Sequence, residues 1–300
     1  MFYVSYSDHC KVDLPAGHRF PMLKYELIRE QLLRLGILNS TQLYRPEPIP
    51  TEMILAVHAE DWWNRVQKLA LTPQEERRLG FPMTQQLLAR CHSSVSGTWF
   101  SALNALRDGV GMSIAGGTHH AYAGHGEGFC LLNDVAIAAQ CLLDSQLARR
   151  ILVIDLDVHQ GNGTAVIFEK EDRVFTFSMH GEKNYPLKKE SSNCDVALST
   201  GMGDVEYNRI LANVFASCMQ KHKPDFIFYI AGSDVLATDR LGKLALSLDG
   251  CARRDQLVIE TCHTLSIPFV VVLGGGYSDR YHEVLQAHVQ TFARVADLFG

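Results

Sequence analysis

The pattern of apolar positions changes character along this chain. In the first third it is helical. Leu23, Leu27, Ile28, Leu32 and Leu33 recur four or five residues apart, which predicts an amphipathic helix from about Pro21 to Leu35. Trp62, Trp63 and Val66 mark another over Ala59–Leu69, where packing explains the aromatics better than ligand contact. A long helix is expected over residues 85–107, broken or tightly packed near Gly97. Phe2–Tyr6 reads as a short strand, and the alternating prolines from Arg45 to Pro50 force an extended connection.

From residue 109 onward, short unbroken apolar runs take over, at 109–115, 151–156, 174–179, 226–231 and 269–273. Helices are expected between them: near 163–168, after Asp204 as a cap, over 250–265, and from 279 to 299. Residues 181–203 read as a long loop. Continuous runs of this length mark strands buried on both faces. Their alternation with helices predicts a three-layer α/β/α fold with a mostly parallel central sheet. No shift in composition, repeat or linker divides residues 1–300, so one domain is expected.

A chain of 300 residues buries roughly 75% of the surface its unfolded form exposes, so a large core is available. The net charge of −5 gives no basic footprint for nucleic acid or an anionic membrane, and no local basic patch is visible. No apolar run is long enough to span a bilayer, and the N-terminus lacks the features of a signal peptide. Eight scattered cysteines without a CxxC pair point to reduced thiols and a cytoplasmic setting.

The chemistry centres on ILVIDLDVHQGNGT, residues 151–164. Asp155, Asp157 and His159 alternate after an apolar strand and so share a face, with neighbours about 7 Å apart. Carboxylates crowded at a strand end repel one another unless a cation lies between them; the plainer alternative is a solvated strand end. In parallel α/β folds function gathers at the carboxyl ends of the strands. Those ends carry GGTHHAYAGHGEGFC after 109–115, His180 after 174–178, Gly232-Ser233-Asp234 after 226–231 and GGGYS after 269–273.

Individually these are ambiguous. His119-His120 could be a satisfied pair in a turn, and Asp234 could cap a helix. Gly274-Gly275-Gly276 has neither the GxGxxG nor the P-loop spacing, and His282-Glu283 lacks the second histidine of HExxH because Gln286 stands there. Together they make a constellation. Asp157, His159 and Asp234 offer one nitrogen and two oxygen ligands with a coordination position left open, suited to Zn²⁺, Fe²⁺ or Mn²⁺. His119 and His120 are candidate acid–base groups, Asp155 and Asn162 their candidate orienters, and Tyr277 a candidate oxyanion donor.

GGTHHAYAGHGEGFCLLNDVAIA, DLDVHQGNGT, FSMH, the AGSD segment and LGGGY, in this order between Gly80 and Tyr277, resemble the zinc-dependent histone deacetylase family of the arginase–deacetylase fold. GHRFPMLKYELI and the compact length look closest to bacterial and class IV members. The resemblance implies that Asp157, His159 and Asp234 bind Zn²⁺. His120 would activate water and protonate the leaving lysine, His119 would tune the site, and Tyr277 would stabilise the tetrahedral intermediate.

It further implies a substrate tunnel of Gly128, Phe129, Tyr185, Leu241 and Gly275, and a monovalent cation, K⁺ or Na⁺, near Asp155, Asp157, His159, Ser178 and Met179. The implied substrate is an acyl-lysine protein or peptide, or alternatively a small acylated amine such as an acetylpolyamine. Two positions and one stretch depart from the family pattern: Asn162 stands where some members carry aspartate, so His120 would lack an anionic partner; Val235 stands where proline is common nearby; and KKESSNCDV replaces a glycine-rich stretch.

Overall fold

A computed structural model describes residues 2–300. Its eight strands form a single sheet, and every neighbouring pair is parallel. The first third supplies β1 (Val4–Tyr6), α1 (Lys24–Arg34), β2 (Leu43–Tyr44), α2 (Thr51–Leu55), α3 (Glu60–Gln67), α4 (Pro73–Leu79) and α5 (Gln85–Asp108). Then come β3 (Val110–Ile114), α6 (Asp134–Asp144), β4 (Ile151–Asp155), α7 (Asn162–Ile167), β5 (Val174–Gly181) and β6 (Cys194–Leu198). The chain closes with α8 (Asp204–His222), β7 (Phe226–Ile230), α9 (Leu248–Thr264), β8 (Phe269–Val272) and α10 (Tyr281–Phe299).

The apolar runs are continuous because both sheet faces are covered. Alternate residues of one strand enter different cores. Leu152 and Ile154 pack with Ile28 of α1, Leu211 of α8, Val258 of α9 and Phe292 of α10. Ile151 and Val153 face the other way, onto Ala102 of α5 and Ala139 and Leu142 of α6. The period of two in a strand makes this division. Trp62, Trp63 and Val66 lie in a third core with Ile54 and Leu87, as packing residues.

Strand order is β2-β1-β3-β8-β7-β4-β5-β6. From β4 the chain winds outward through β5 and β6; it then returns to the other side of β4 for β7 and β8. The winding therefore reverses between β4 and β7, and a crevice opens there at the carboxyl ends. Asp155 of β4 is in register with Ile230 of β7 and Ser178 of β5, so the loops leaving β4 and β7 emerge side by side.

Several expectations need correction. Residues 181–203 are not all loop, because Cys194–Leu198 adds the parallel edge strand β6. Its alternation of half-buried and exposed positions conceals it from a search for apolar runs. Helices α2, α4 and α6 were not anticipated: α2 and α4 are short, and α6 is so uniformly buried that it lacks an amphipathic stripe. Gly203, not Asp204, caps α8, and the Asp204 carboxylate accepts from the Ser247 N–H and hydroxyl instead. Helix α5 runs unbroken through Gly97, where a Cβ would approach Ser5 Oγ to 2.7 Å; close packing explains that glycine.

Candidate active site

Strand β4 stops at Asp155. Asp157 and His159 therefore lie in the bends beyond it, not on one strand face as their alternation implied. The turn achieves what the strand does not, bringing both residues against Asp234 from the loop after β7. His159 Nδ1 lies 3.0 Å from Asp157 Oδ1 and 3.1 Å from Asp234 Oδ2. Asp234 caps no helix.

All three side chains are buried, and one ligand atom from each falls within 4.8 Å of the others. The remaining oxygens are taken: Asp157 Oδ2 accepts from Gly275 N–H at 2.7 Å and Asp234 Oδ1 from Val158 N–H at 2.9 Å. These bonds aim the other carboxylate oxygens toward His159. Bonds of about 2.0–2.1 Å to a tetrahedral ion require ligand atoms roughly 3.3 Å apart, so these residues fit a divalent metal.

The electrostatics point the same way. Burial disfavours a charged His159, yet its hydrogen bonds to Asp157 and Asp234 outweigh burial and push its pKa up to about 10. Burial, then the charge of Asp157, pushes Asp234 up to about 7. Two carboxylates this deep demand positive charge, and a metal ion is the direct way to supply it.

His119 and His120 follow β3 in a turn that lets both rings face this point, with centroids 4.1 Å apart. Each has its own partner. His119 Nδ1–H donates to Asp155 Oδ2 at 2.6 Å; although burial opposes it, the Asp155 and Asp157 carboxylates push His119 up to about 9. His120 Nδ1–H donates to the amide oxygen Asn162 Oδ1, also at 2.6 Å. Burial, then the charges of His119 and His159, holds His120 well below the usual imidazole range. Its Nε2 is therefore an unprotonated lone pair, the form a base requires.

The neutral partner of His120 is not the end of its chain. Asn162 Nδ2 donates to Glu127 Oε1 at 2.7 Å and to the Tyr122 hydroxyl at 2.9 Å, and Tyr185 OH also donates to Glu127 Oε1 at 2.7 Å. The anion inferred to be missing stands one hydrogen bond further back. Sequence reasoning missed Glu127, and its place in GHGEGFC carries no signal of it.

Tyr277 follows the three glycines after β8, its ring 6.3 Å from His159, with its backbone N–H donating to Asp239 Oδ2 at 2.6 Å. Burial, then Asp157 and Asp234, raises its phenol well above the usual range, so it remains a donor. A cavity of about 370 Å³ reaches the surface past Gly128, Phe129, Tyr185, Leu241, His120, His159 and Tyr277. That volume belongs to the small-ligand class. Gly128 and Phe129 both hold left-handed backbone, with φ of 55° and 68°, and a Cβ on Gly128 would come 2.6 Å from His120 Cδ2.

Gly275 lies against Asp157 and Asp234, with no room for a Cβ beside Asp234 Oδ2, and lines a smaller inner cavity that shares Gly128, Phe129, His120 and Tyr277 with the outer one. Ser178 and Met179 of β5 are buried, Ser178 in register with Asp155 of β4, and His180 Nδ1 turns to Ser178 Oγ at 3.0 Å, away from Asp157, His159 and Asp234. A second unheralded residue is Arg254 of α9. Fully buried and paired with Asp255 at 2.8 Å, it donates to the carbonyls of Leu156 and Gly232, at 3.3 and 2.5 Å, just ahead of Asp157 and Asp234.

An all-parallel eight-stranded sheet between helical layers, with one nitrogen and two oxygen donors gathered at its switch point, is the arginase–deacetylase architecture. The chain belongs to the histone deacetylase family, a family of deacetylase hydrolases: the model of the histone deacetylase domain matches residues 18–292. An uncharacterised protein of Picosynechococcus is 41% identical over 99% of both chains. Histone deacetylase 2 of Arabidopsis thaliana is 27% identical over 98% of this chain and 78% of its own. Human histone deacetylase 1 is 28% identical over 88% of this chain and 58% of its own. Among solved structures, the HDA15 HD domain superposes with a TM-score of 0.83 at 22% identity, covering 99% of this chain and 88% of that one, a likeness of fold.

Proposed function

We propose that this protein hydrolyses N-acyl groups from lysine side chains of proteins or peptides. The observation that carries the reading is the convergence of Asp157, His159 and Asp234, the His120 Nε2 lone pair and the Tyr277 phenol at the inner end of one narrow cavity. Asp157, His159 and Asp234 hold a divalent metal; the donor set suits Zn²⁺, and Fe²⁺ or Mn²⁺ can also use it. Bound there, such an ion polarises an amide carbonyl and lowers the pKa of water.

The chain's own residues do the rest. His120 Nε2 takes the proton of the attacking water and returns it to the leaving amine. Asn162 fixes the tautomer through Nδ1, with Glu127 behind it. His119, held against Asp155, sets the field beside the base. Tyr277 donates to the oxyanion, and Gly128, Phe129 and Tyr185 enclose the lysine stem. Asp155 and Ser178, in register on adjacent strands with Met179 following, Asp157 and His159 form the setting proposed for a K⁺ or Na⁺ ion. Eight unpaired thiols support a reducing compartment, the cytoplasm. The match with the Picosynechococcus protein across both chains supports a bacterial-type member; the class IV likeness rests on the GHRFPMLKYELI segment and the compact length.

Purified protein is expected to release acetate or a longer acyl group from acyl-lysine peptides, and chelation is expected to abolish this. Tyr277→Phe should lower kcat by about 10²–10³-fold with KM little changed. Undiminished turnover by that variant would remove Tyr277 from the mechanism.

A further inference from the structure

The mouth of the cavity carries charge of one sign. Arg19, Arg78, Lys183 and Lys243 line it, and no aspartate or glutamate does. A hollow beside it adds Arg77, and a second adds Arg240. This is a local reversal, because the whole chain carries 28 lysines and arginines against 33 acids.

Pairing distinguishes part of this cluster. Several cations of the chain have a carboxylate partner: Arg29 lies 2.8 Å from Asp8, Arg65 2.5 Å from Glu75, Arg173 2.6 Å from Glu171, and Arg240, beside the mouth, 2.8 Å from Asp279. At the mouth, among the described residues, Arg19 and Arg78 have no carboxylate within ion-pair distance. Lys183 Nζ is 3.8 Å from Glu182, and Lys243 Nζ donates to the Lys183 carbonyl. A nearby carboxylate, Glu127, is engaged by Tyr185, Asn162 and His125.

Arg77 and Arg78 end helix α4, where the carbonyl end of the dipole gives them a local reason. Arg19, Lys183 and Lys243 sit on loops, with no helix end to offset. Like charges clustered around a concave opening, with Arg19, Arg78 and Lys243 having no ion pair among the described residues, repel one another and focus an anion-attracting field into it. That arrangement is stable when the ligand brings the opposite charge.

We infer that the mouth selects acyl-lysines whose neighbouring residues carry carboxylates. An acidic stretch of peptide lies across Arg19, Arg78, Lys183 and Lys243 while the acylated side chain enters past Phe129 and Tyr185. The inference rests on the deacylase reading above and adds the class of substrate. The walls below the rim are mainly neutral (Gly128, Phe129, Tyr185, Tyr277), so the cations act on flanking groups, not on the acyl chain. Peptides rich in lysine and arginine, and cationic acylated polyamines, are repelled. The cations ring an opening that admits one side chain instead of forming the stripe that follows a nucleic-acid backbone.

Three peptides with the same central acyl-lysine, flanked by glutamate, serine or lysine, test this. The expected order of kcat/KM is acidic, neutral, basic, with about ten-fold between the extremes, carried by KM and shrinking as salt screens the rim. Arg78→Glu with Lys243→Glu should invert the order, and Arg78→Gln with Lys243→Gln should flatten it, in proteins whose melting is unchanged. Equal or better use of the basic peptide by the parent protein, or an unchanged order in the charge-reversed variant, overturns the inference. So does a single-stranded oligonucleotide that competes better than polyglutamate of equal charge, which would assign the rim to nucleic acid. Fluorescence anisotropy with the same peptides separates the two readings. Acid-selective binding without turnover of any peptide supports the rim and sinks the deacylase assignment; turnover with no charge order does the reverse.

Discussion

The floor and the mouth of the cavity are built on opposite terms. At the floor Asp157, Asp234 and Asp155 are buried, and each carboxylate is bonded to a backbone N–H, an imidazole or both. At the mouth Arg19, Arg78, Lys183 and Lys243 are exposed, and Arg19 and Arg78 are without a carboxylate partner among the described residues. Charge in a low-dielectric interior interacts strongly and tolerates little displacement. Charge at the surface is screened and acts mainly on encounter and selection. The floor therefore decides which reaction is possible, and the mouth decides which molecules reach it.

The largest expected effect comes from removing a floor charge. Asp234→Asn should reduce bound metal, measured by elemental analysis, to a small fraction of that in the parent protein, and hydrolysis to background. The metal-free variant should melt no lower than the metal-free parent, because an amide relieves the carboxylate crowding that pushes Asp234 up to about 7. Retained stoichiometric metal would break the comparison at its root.

A smaller effect concerns the base. Burial, with the charges of His119 and His159, holds His120 below the ordinary imidazole value of about 6.5. The active form is the neutral one, present above the lowered pKa and lost as pH falls through it. The acid limb of kcat/KM should therefore lie below pH ~6.5. A limb above that value would show that another group, or a differently placed His120, controls the rate.

The smallest effect belongs to single charges at the mouth. Lys183→Gln should change KM for a charged peptide by only about two- to three-fold and leave kcat unmoved, as expected for one screened, exposed cation. A large loss of kcat would mean that the mouth takes part in the chemistry and that the division drawn above is false.

Much of the floor was legible in the sequence because its residues follow strand ends in short motifs. Asp155, Asp157 and His159 share one segment, and apolar runs mark where β3, β4, β7 and β8 deliver the remaining groups. The alternation argument nevertheless failed past Asp155, where a turn sets the direction of side chains. Arg254 and Glu127 gave no signal, since each acts through atoms more than 20 residues away in the chain. Edge strand β6 escaped notice because its positions alternate between half-buried and exposed and form no continuous apolar run.

The chain's pattern alone determined the layered parallel sheet and marked the strand ends at which Asp157, His159 and Asp234 meet, because periodicity and short-range spacing are local properties. Tertiary structure alone decided the bonds that aim Asp157 and Asp234, the carboxylate behind Asn162 and the cationic rim. Arg19, Arg78, Lys183 and Lys243 come from four separate stretches of a chain whose net charge is −5. A sum over residues hides such a patch, since an electric field depends on where charges meet in space and not on their order along the chain.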